Sequence, residues 1–379
     1  GTTGRPRGVM VGHENVVNVV TWFAREYDVK MGSNVLQMSN YTFDASVNQI
    51  FATLLYGGRL HLVSNVMLQD IGALRRYIER HLIHILNFVP LFLDELLSHR
   101  ERLRSVQTVI SGGEALTGSL KDRITGKGYR LYNHYGPTET TIDALSLRCD
   151  PSCAVTLGKS IANTGCVVLD KWEKLVPIGI RGELAVAGTG VTRGYLNRPE
   201  LTAEKFAVDI CRPGRACRSY SSYKTYRTYS SPKLYKTGDL VRWLPDGSIE
   251  FLGRLDHQVK IRGFRVELEE IEKHLQDHEY IKEAVVMAGG QDEDKYLCAY
   301  ITAAGELDVS GLREYLSRDL PDYMIPSYFV QIDKIPLTAN GKVDRKALAK
   351  HKGKQLETGT TYVAPSSDIE RIIADLWKE

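Results

Sequence analysis

The first eight residues, Gly1 to Gly8 (GTTGRPRG), combine glycine, threonine and arginine as a phosphate-binding loop does. Glycines let backbone N–H groups converge on an anion, and hydroxyls and cations add further partners for it. Thr2, Thr3 and Gly4 are therefore candidate phosphate contacts, although a flexible turn would explain the same residues. The loop is not of the Walker A type, because Gly8 is followed by Val9 and not by lysine.

Further stretches place charged, aromatic or hydroxyl side chains beside glycine or proline. Taken alone, each is better explained as a surface turn. Their order along the chain is therefore the informative feature. They are Tyr41–Ser46 (YTFDAS), Asn133–Glu139 (NHYGPTE), Gly188–Tyr195 (GTGVTRGY), Tyr235–Asp239 (YKTGD), Gly253–Gly263 (GRLDHQVKIRG), Leu320–Pro326 (LPDYMIP) and Asn340–Arg345 (NGKVDR).

In this order the motifs resemble those of the adenylation domains of nonribosomal peptide synthetases, within the adenylate-forming (acyl-CoA synthetase and luciferase) superfamily. The resemblance covers nearly the whole chain. It implies a ligase that uses ATP and Mg²⁺ to convert an amino acid into aminoacyl-AMP. It also implies transfer of the aminoacyl group to the phosphopantetheine thiol of a carrier domain. Such chemistry depends on positioning and on neutralising charge at the α-phosphate.

The resemblance assigns catalytic roles to three residues. Lys342 is expected to bridge the substrate carboxylate and the phosphate in the transition state. Thr138 is expected to contact the α-phosphate, and Glu139 is the expected ligand of Mg²⁺.

The nucleotide contacts are also implied by the resemblance. Tyr135 is expected to stack on adenine, and Asn133 to recognise its amino edge. The carboxylate of Asp239 is expected to accept hydrogen bonds from both ribose hydroxyls, and Arg254 to approach the nucleotide. The full predicted set is Thr2, Thr3, Gly4, Gly113, Asn133, Tyr135, Gly136, Asp239 and Arg254.

Alignment on these motifs also predicts the pocket for the amino-acid side chain. Asp44 is the expected partner of the α-ammonium group, which indicates an α-amino acid and not a fatty or aryl acid. Lys342 is expected to meet the substrate carboxylate. The other predicted pocket residues are Ala45, Asn48, Asn87, Ile110, Gly112, His134, Ile142 and Asp143.

The predicted pocket is unusually polar, because it contains Asn48, Asn87, His134 and Asp143. An apolar substrate would leave such groups unsatisfied, at about 1–3 kcal/mol each. A buried carboxylate is costly without a partner. The sequence therefore favours a side chain with nitrogen donors, with arginine or ornithine first and glutamine or lysine next. A protonated His134 would itself neutralise Asp143, however, and would free the site for an acidic or hydroxyl substrate.

Strand-like and helical patterns alternate through the first half of the chain, which predicts an α/β fold with a largely parallel sheet. Short β runs from about residue 155 to 253 indicate a β-rich subdomain, and mixed α and β patterns follow. The resemblance implies the adenylate-forming fold, with residues 1–254 as a core whose N-terminal part is missing. It also implies a small mobile α+β subdomain at 255–352, rotating about a hinge at Asp256.

Residues 353–366 form a polar linker in this interpretation, and residues 367–379 begin a carrier-protein domain. Ser367 to Glu370 has the form of a capping box, and apolar residues recur after it at helical spacing. The partners implied are that carrier domain and a neighbouring condensation domain. The stretch from Arg212 to Pro232 is rich in Tyr, Ser, Lys and Arg. It is interpreted as a solvated insertion and not as a nucleic-acid contact.

Composition argues against nucleic-acid-binding, membrane-spanning and zinc-finger proteins. The chain has 379 residues and a formal net charge of +3. This weak positive charge is spread through the chain, so it does not indicate a nucleic-acid or membrane partner. No apolar stretch approaches the length of about 20 residues that a membrane span needs. The six cysteines show neither Cys-x-x-Cys pairs nor zinc-finger spacing. They are expected to be reduced in a cytoplasmic protein.

Two alternatives remain open from sequence. A free-standing acyl- or aryl-CoA ligase of the same superfamily would share most of the motifs, although Asp44 argues against it. An inactive fragment that serves as an interaction surface would not need Glu139, Asp239 and Lys342, all of which are present.

Overall fold

The computed structural model describes most of the chain. The described residues are 8–208, 233–255, 259–261, 264–290, 296–303, 305, 307–336, 343–350, 354–355, 367 and 369–371. Five predicted functional residues lie outside this set: Thr2, Thr3, Gly4, Asp256 and Lys342. The predicted insertion 212–232 and most of the predicted linker and carrier segment lie outside it as well.

Two compact units divide the described chain, one up to Arg265 and the other from Val266 onward. The boundary between the two units therefore lies at Arg265. The sequence instead predicts a boundary at Arg254. The functional subdivision at Arg254, with its hinge at Asp256, stays a prediction.

A seven-stranded sheet is the centre of the first unit, in the order β2-β1-β3-β4-β5-β6-β7. Strands β1 to β5 pair in parallel, whereas β6 and β7 are antiparallel. The predicted α/β class and largely parallel sheet are confirmed. The strands are β1 Asn34–Gln37, β2 Arg59–Leu62, β3 Ile85–Phe88, β4 Thr108–Ser111, β5 Arg130–Tyr135, β6 Leu145–Cys149 and β7 Lys159–Ser160.

Helices cover both faces of this sheet, as a parallel sheet requires. Side chains of α1 pack with Ile85, Ile110 and Tyr132 on one face. Side chains of the later helices pack with Leu86 and Val109 on the other. The helices are α1 His13–Glu26, α2 Ala45–Val47, a π-helical turn at Asn48–Ala52, α3 Thr53–Leu55, α4 Asn65–Gln69, α5 Ile71–Arg80, α6 Pro90–Leu97 and α7 Gly118–Gly126.

Asp70 separates α4 from α5. Its extended backbone ends α4, and its side chain accepts a hydrogen bond from the backbone N–H of Ala73 at 2.8 Å. Aspartate is a preferred N-cap residue, so α5 begins here as a new helix.

The predicted β-rich region forms an antiparallel sheet in the order β10-β11-β9-β8, with β12 paired to β11. The Tyr235–Asp239 motif lies inside β11. The elements are β8 Thr164–Leu169, β9 Arg181–Gly188, α8 Pro199–Lys205, β10 Phe206–Val208, β11 Lys233–Trp243 and β12 Ile249–Arg254. A separate two-stranded ribbon follows, with β13 Val259–Ile261 and β14 Phe264–Val266.

The second unit is a four-stranded sheet in the order β15-β16-β17-β18 with helices, as the mixed pattern after Arg254 predicts. Its elements are α9 Leu268–Gln276, β15 Ile281–Gly289, β16 Tyr296–Ala303, α10 Val309–Ser317, β17 Tyr328–Gln331, α11 Arg345–Lys350 and β18 Lys354–Gln355.

The predicted capping box near the end of the chain is present. The backbone N–H of Ser367 donates to the carboxylate of Glu370 at 2.9 Å, and the backbone N–H of Glu370 donates to Oγ of Ser367 at 3.2 Å. Four cysteines, at 149, 153, 166 and 298, are described, and each is a free thiol. Of the helices described, none is long and apolar enough to cross a membrane.

Candidate functional site

Strand β5 carries three consecutive predicted site residues, Asn133, His134 and Tyr135. Their side chains point alternately to the two faces of the sheet, as successive side chains of a strand do. His134 lies on the face covered by α1, where its ring is 5.4 Å from that of Trp22. Asn133 lies on the other face, and its amide Nδ2 donates to the carbonyl of Thr156 at 2.8 Å. The alternation separates the predicted substrate residue from the predicted nucleotide residues.

The same alternation gathers the predicted pocket. Asn87 and Ile110 are register partners in β3 and β4, and they lie on the His134 face of the sheet. Strand β1 has β2 on one side and β3 on the other, so the strand order reverses there. In open α/β sheets, ligands bind beyond the carboxyl ends of strands at such a reversal.

A chain of buried polar contacts crosses the predicted pocket. Nδ2 of Asn48 donates to Oδ2 of Asp143 at 2.8 Å. Nδ1 of His134 lies 3.1 Å from Oδ1 of Asp143, an ion-pair distance without the alignment of a hydrogen bond. On the far side of the imidazole ring, Nε2 lies 2.5 Å from the hydroxyl of Tyr27. Four side chains from distant parts of the sequence therefore form one network.

This network corrects the premise behind the predicted substrate ranking. The sequence treats Asp143 as a carboxylate that only the substrate can pair. In the structure both of its oxygens have protein partners, Asn48 and His134. An unpartnered atom is present instead on Asn48, whose enclosed Oδ1 has no hydrogen-bond partner among the described residues. This amide oxygen is therefore a buried acceptor without a hydrogen-bond partner in the described part of the chain.

The π-helical turn at Asn48–Ala52 places Asn48 and Gln49, and π-helical turns frequently occur at functional sites. Gln49 Oε1 accepts from the backbone N–H groups of Met38 and Ser39 at 2.9 and 3.1 Å. Its Nε2 donates to the carbonyl of Asn87 at 2.8 Å. Gln49 therefore ties the segment after β1 to the end of β3. Sequence reasoning missed this residue, and its one signal is a glutamine beside apolar Ile50 and Phe51.

A strained turn orients Asp143. Thr141 and Ile142 have φ angles of 61° and 71°, which are genuine outliers for β-branched residues. The backbone N–H of Asp143 donates to the carbonyl of Thr141 at 2.9 Å and closes a γ-turn around Ile142. The hydroxyl of Thr141 donates to the carbonyl of Gly190 at 2.7 Å and anchors the turn. Strain of this kind persists where the surroundings over-determine it, often at functional sites.

Glycines at the ends of β4 and β5 permit close approaches. A Cβ at Gly136 would lie 2.2 Å from the carbonyl oxygen of Ile142, so only glycine fits there. Gly113 has φ of 85°, a conformation that favours glycine. A Cβ at Gly112 would meet Cβ of His134 at 3.4 Å, so the glycine leaves room beside that ring.

Three predicted pocket residues are apolar and shape the pocket. Ile110 is fully buried, and Ile142 is nearly so, in the core beneath α1. Ala45 packs against the same core.

Asp44 and Thr138 are in direct contact, and the hydroxyl of Thr138 donates to Oδ2 of Asp44 at 2.5 Å. Burial, and then the negative charges of Asp143 and Glu139, raise the pKa of Asp44 above its ordinary value, while the bond from Thr138 opposes that rise. A raised pKa marks a carboxylate that lacks a positive partner.

Three of the predicted nucleotide residues, Tyr135, Asp239 and Arg254, meet at a bulge in β11. The pairing of β11 with β9 slips between Lys236 and Leu240, and Gly238 takes a φ of 76° there. This irregularity carries Asp239, whose Oδ1 accepts from Nη1 of Arg254 at 2.6 Å. Its Oδ2 accepts from the hydroxyl of Tyr135. Burial and the charge of Asp239 raise the pKa of Tyr135 well above its ordinary range, so the phenol is a donor.

Glu139 is buried, and its Oε1 accepts from the hydroxyl of Tyr195 at 2.7 Å. The backbone N–H of Thr192 donates to the carbonyl of Glu139 at 3.0 Å. Gly8 and Met10 in turn hydrogen-bond with the backbone at 193–196. The Gly188–Tyr195 motif therefore joins Glu139 to the chain directly after the predicted phosphate loop.

A single buried carboxylate fits the predicted Mg²⁺ role. Mg²⁺ prefers oxygen ligands and is usually held by one or two carboxylates together with substrate phosphates and water. Across the described ranges, no group of three or more His, Cys, Asp or Glu side chains could hold a metal ion by itself. Glu139, held by Tyr195 through one oxygen, has the chemistry for a shared site of this kind.

The raised pKa of Asp44 leads to a prediction about stability. A raised pKa in the folded state favours folding below the ordinary aspartate pKa, and that contribution is lost as pH rises through the raised value. Asp44→Asn should therefore raise the melting temperature at pH 7, and the gain should shrink as pH falls through the raised pKa and vanish below the ordinary aspartate range. Calorimetric melting of both proteins between pH 3 and pH 8 measures this.

Asp246 provides the matched control, because hydrogen bonds from Ser248 lower its pKa. Asp246→Asn should not raise the melting temperature at pH 7. A loss of stability in Asp44→Asn at pH 7 would contradict an uncompensated charge at this position.

Comparisons with known proteins place this site in a family. The model described as AMP-binding enzyme matches residues 1–196, and that described as AMP-binding enzyme C-terminal domain matches residues 270–342. Gramicidin S synthase 2 of Brevibacillus brevis is 42% identical over 390 residues, which is 100% of this chain and 8% of the relative. The chain thus spans a small part of the relatives it matches.

Two solved structures resemble the chain. A four-domain nonribosomal peptide synthetase bound to AMP and glycine is 36% identical, with a TM-score of 0.59, over 97% of this chain and 27% of the other. A nonribosomal peptide synthetase protein with adenylation and PCP domains, bound to a vinylsulfonamide inhibitor, is 26% identical, with a TM-score of 0.76, over 92% and 58%. The adenylate-forming fold predicted from the motifs is confirmed, and the chain belongs to the AMP-binding enzyme family.

Proposed function

We propose that the chain activates an α-amino acid with ATP, forming aminoacyl-AMP and pyrophosphate, and then loads a carrier domain. The contact between Asp44 and Thr138 carries this proposal. In an aminoacyl adenylate only the Cα, the carbonyl carbon and one oxygen separate the nitrogen from the phosphorus. An ammonium partner and an α-phosphate partner must therefore be neighbours, and these two side chains hydrogen-bond to each other.

In this proposal, different described residues contact the ribose, the adenine and the metal ion. Tyr135 and Asp239 form the nucleotide side with Arg254, and each oxygen of Asp239 keeps a lone pair for a ribose hydroxyl. Asn133, fixed through its amide nitrogen, offers its carbonyl oxygen to the amino group of adenine. Bound Mg²⁺ would supply charge stabilisation for the phosphates, with Glu139 as its protein ligand.

The remaining predicted residues complete the proposal. Thr2, Thr3 and Gly4 would hold the outer phosphates, Lys342 would bridge carboxylate and phosphate, and Asp256 would be the hinge between the two half-reactions. They lie outside the described residues, so their roles depend on the resemblance and on the family match.

A carrier domain with phosphopantetheine, and a neighbouring condensation domain, are the proposed partners. The solved relative with adenylation and PCP domains supports the first, as does the capping box that starts a helix at Ser367. The cytoplasm is the proposed location, since the four described cysteines are free thiols.

We further propose that the substrate side chain is polar and donates hydrogen bonds. The enclosed Oδ1 of Asn48, without a partner among the described residues, supports a nitrogen or hydroxyl donor. Glutamine satisfies this acceptor as well as arginine, ornithine or lysine does. Because Asp143 already has partners, the priority of basic substrates no longer follows from the carboxylate alone.

ATP–pyrophosphate exchange across all amino acids, with aryl and fatty acids plus coenzyme A in parallel, tests this function in the polypeptide that carries the chain. Exchange that depends on a polar amino acid is expected. Activity with aryl or fatty acids and coenzyme A would favour the free-standing CoA ligase. Absence of exchange with every acid would favour the inactive interaction surface.

Lys342→Ala should lower amino-acid-dependent exchange by about 10²–10³-fold, because a positioned charge at the developing phosphate charge is lost. Lys334→Ala, which removes an exposed lysine, should leave exchange unchanged. Thioester formation from preformed adenylate should fall much less than exchange. Undiminished exchange in Lys342→Ala would remove this lysine from the adenylation step.

Tyr195→Phe should raise the Mg²⁺ concentration for half-maximal exchange by about tenfold, since partners that orient a metal ligand are worth about 10–100-fold in affinity. The rate at saturating Mg²⁺ should change little. Electron paramagnetic resonance titration with Mn²⁺ and ATP should show the same loss of affinity without turnover.

Tyr129→Phe is the control, because it removes another buried tyrosine hydroxyl, the one that accepts from the backbone N–H of Leu103 at 2.7 Å. It should lower stability and leave the metal dependence unchanged. An unaltered metal dependence in Tyr195→Phe would show that this hydroxyl does not orient a metal ligand.

A further inference from the structure

Tyr27 lies outside every predicted motif, yet it is part of the polar network in the pocket. It is the C-cap residue that directly follows α1, and it is buried beside the ring of Phe23. Its hydroxyl lies 2.5 Å from Nε2 of His134, whose Nδ1 faces Asp143. Burial raises the pKa of Tyr27 well above its ordinary value, so it meets His134 as a neutral phenol.

We infer that Tyr27 is a specificity-determining positioning residue, which holds His134 against Asp143 so that the pocket favours neutral hydrogen-bond donors over cations. The inference rests on the proposed amino-acid activation. It names the chemical class of side chain as primary amides, with glutamine first, over ornithine, lysine and arginine.

The position of His134 is determined from two sides. Tyr27 contacts Nε2, and the rings of Trp22 and Phe23 pack around the imidazole. Nδ1 is therefore directed at Oδ1 of Asp143. That contact has an ion-pair distance, so Oδ1 of Asp143 already has a protein partner.

The occupied carboxylate then decides between substrates. Asn48 and His134 contact the two oxygens of Asp143, so neither oxygen is left for a substrate cation. A neutral side chain leaves these contacts intact, whereas a basic side chain would be buried without a partner or would displace His134 from Asp143. Either result is costly in a desolvated pocket.

The recognition contact for a neutral donor is available. Asn48 is fully buried, its Nδ2 is committed to Asp143, and its enclosed Oδ1 has no partner in the described part of the chain. An N–H of a substrate amide would satisfy this oxygen. Removing the donor from the substrate would leave the acceptor unpaired, and this makes the contact selective.

The test compares kcat/KM for glutamine with that for ornithine, lysine and arginine in ATP–pyrophosphate exchange, using the polypeptide that carries the chain. The wild type should prefer glutamine by about tenfold or more. His134→Gln removes the imidazole that contacts Oδ1 of Asp143 and should lower this ratio by about tenfold. Tyr27→Phe should lower it in the same direction by a smaller factor, because the ring packing stays and only the hydroxyl is lost.

Tyr132→Phe is the matched control. The Tyr132 ring packs 4.9 Å from that of Tyr27 on the same face of the sheet. Its variant should leave the ratio unchanged. A wild type that prefers a basic amino acid, or an unchanged ratio in both His134→Gln and Tyr27→Phe, overturns the inference.

A spectroscopic measurement tests the role of Tyr27 separately from the proposed amino-acid activation. The imidazole ¹⁵N resonances of His134, assigned by their absence in His134→Gln, should shift in Tyr27→Phe and stay in place in Tyr132→Phe. Unshifted resonances in Tyr27→Phe overturn the role of Tyr27 without any turnover. Failure of every amino acid to support exchange in the wild type overturns the proposed function instead.

Discussion

Strand alternation in β5 is the constraint on which the rest of the site depends. Asn133 and His134 are neighbours in sequence, but their side chains leave opposite faces of the sheet. The polypeptide therefore separates the proposed nucleotide region from the proposed side-chain pocket at one strand. The turn that follows returns Thr138, Glu139 and Asp143 to that strand end, because Gly136 allows the backbone of residues 142–144 to pass within contact of β5.

Buried or half-buried carboxylates are the second theme, and most of them bind neutral donors. Asp44 accepts from Thr138, Glu139 from Tyr195 and Asp239 from Tyr135. A hydroxyl lowers the cost of burying a carboxylate without cancelling its charge. In the proposed function, Asp44 and Glu139 meet an ammonium group and a metal ion. Asp239 is also paired with Arg254, and the two oxygens of Asp143 contact Asn48 and His134.

The residues of the proposed site were named from short motifs, and their roles stay predictions. The sequence also predicted the α/β class and most strands, because these depend on local periodicity. The bulge that presents Asp239 was not predictable, since it depends on how β11 slips against β9. The two positive φ angles at Thr141 and Ile142 run against the preferences of β-branched residues, so only tertiary contacts can impose them.

Long-range contacts account for the other omissions. Tyr27 and His134 are 107 residues apart, and no local pattern marks a tyrosine at the end of α1 as part of a pocket. The pairing of Asp143 was missed for the same reason, because its partners Asn48 and His134 come from other elements. The sequence supplied both possible states of Asp143, paired with the substrate or with His134, and the structure shows the second.

We propose that Asp44 receives the substrate ammonium group directly beside the phosphate site. Isothermal titration with an aminoacyl-sulfamoyl adenosine and its des-amino counterpart tests this claim most directly, on the wild type and on Asp44→Asn. The account predicts that the wild type binds the amino compound at least about thirtyfold more tightly, corresponding to about 2 kcal/mol or more, and that Asp44→Asn abolishes this preference. Equal affinity of the wild type for both compounds would contradict the account.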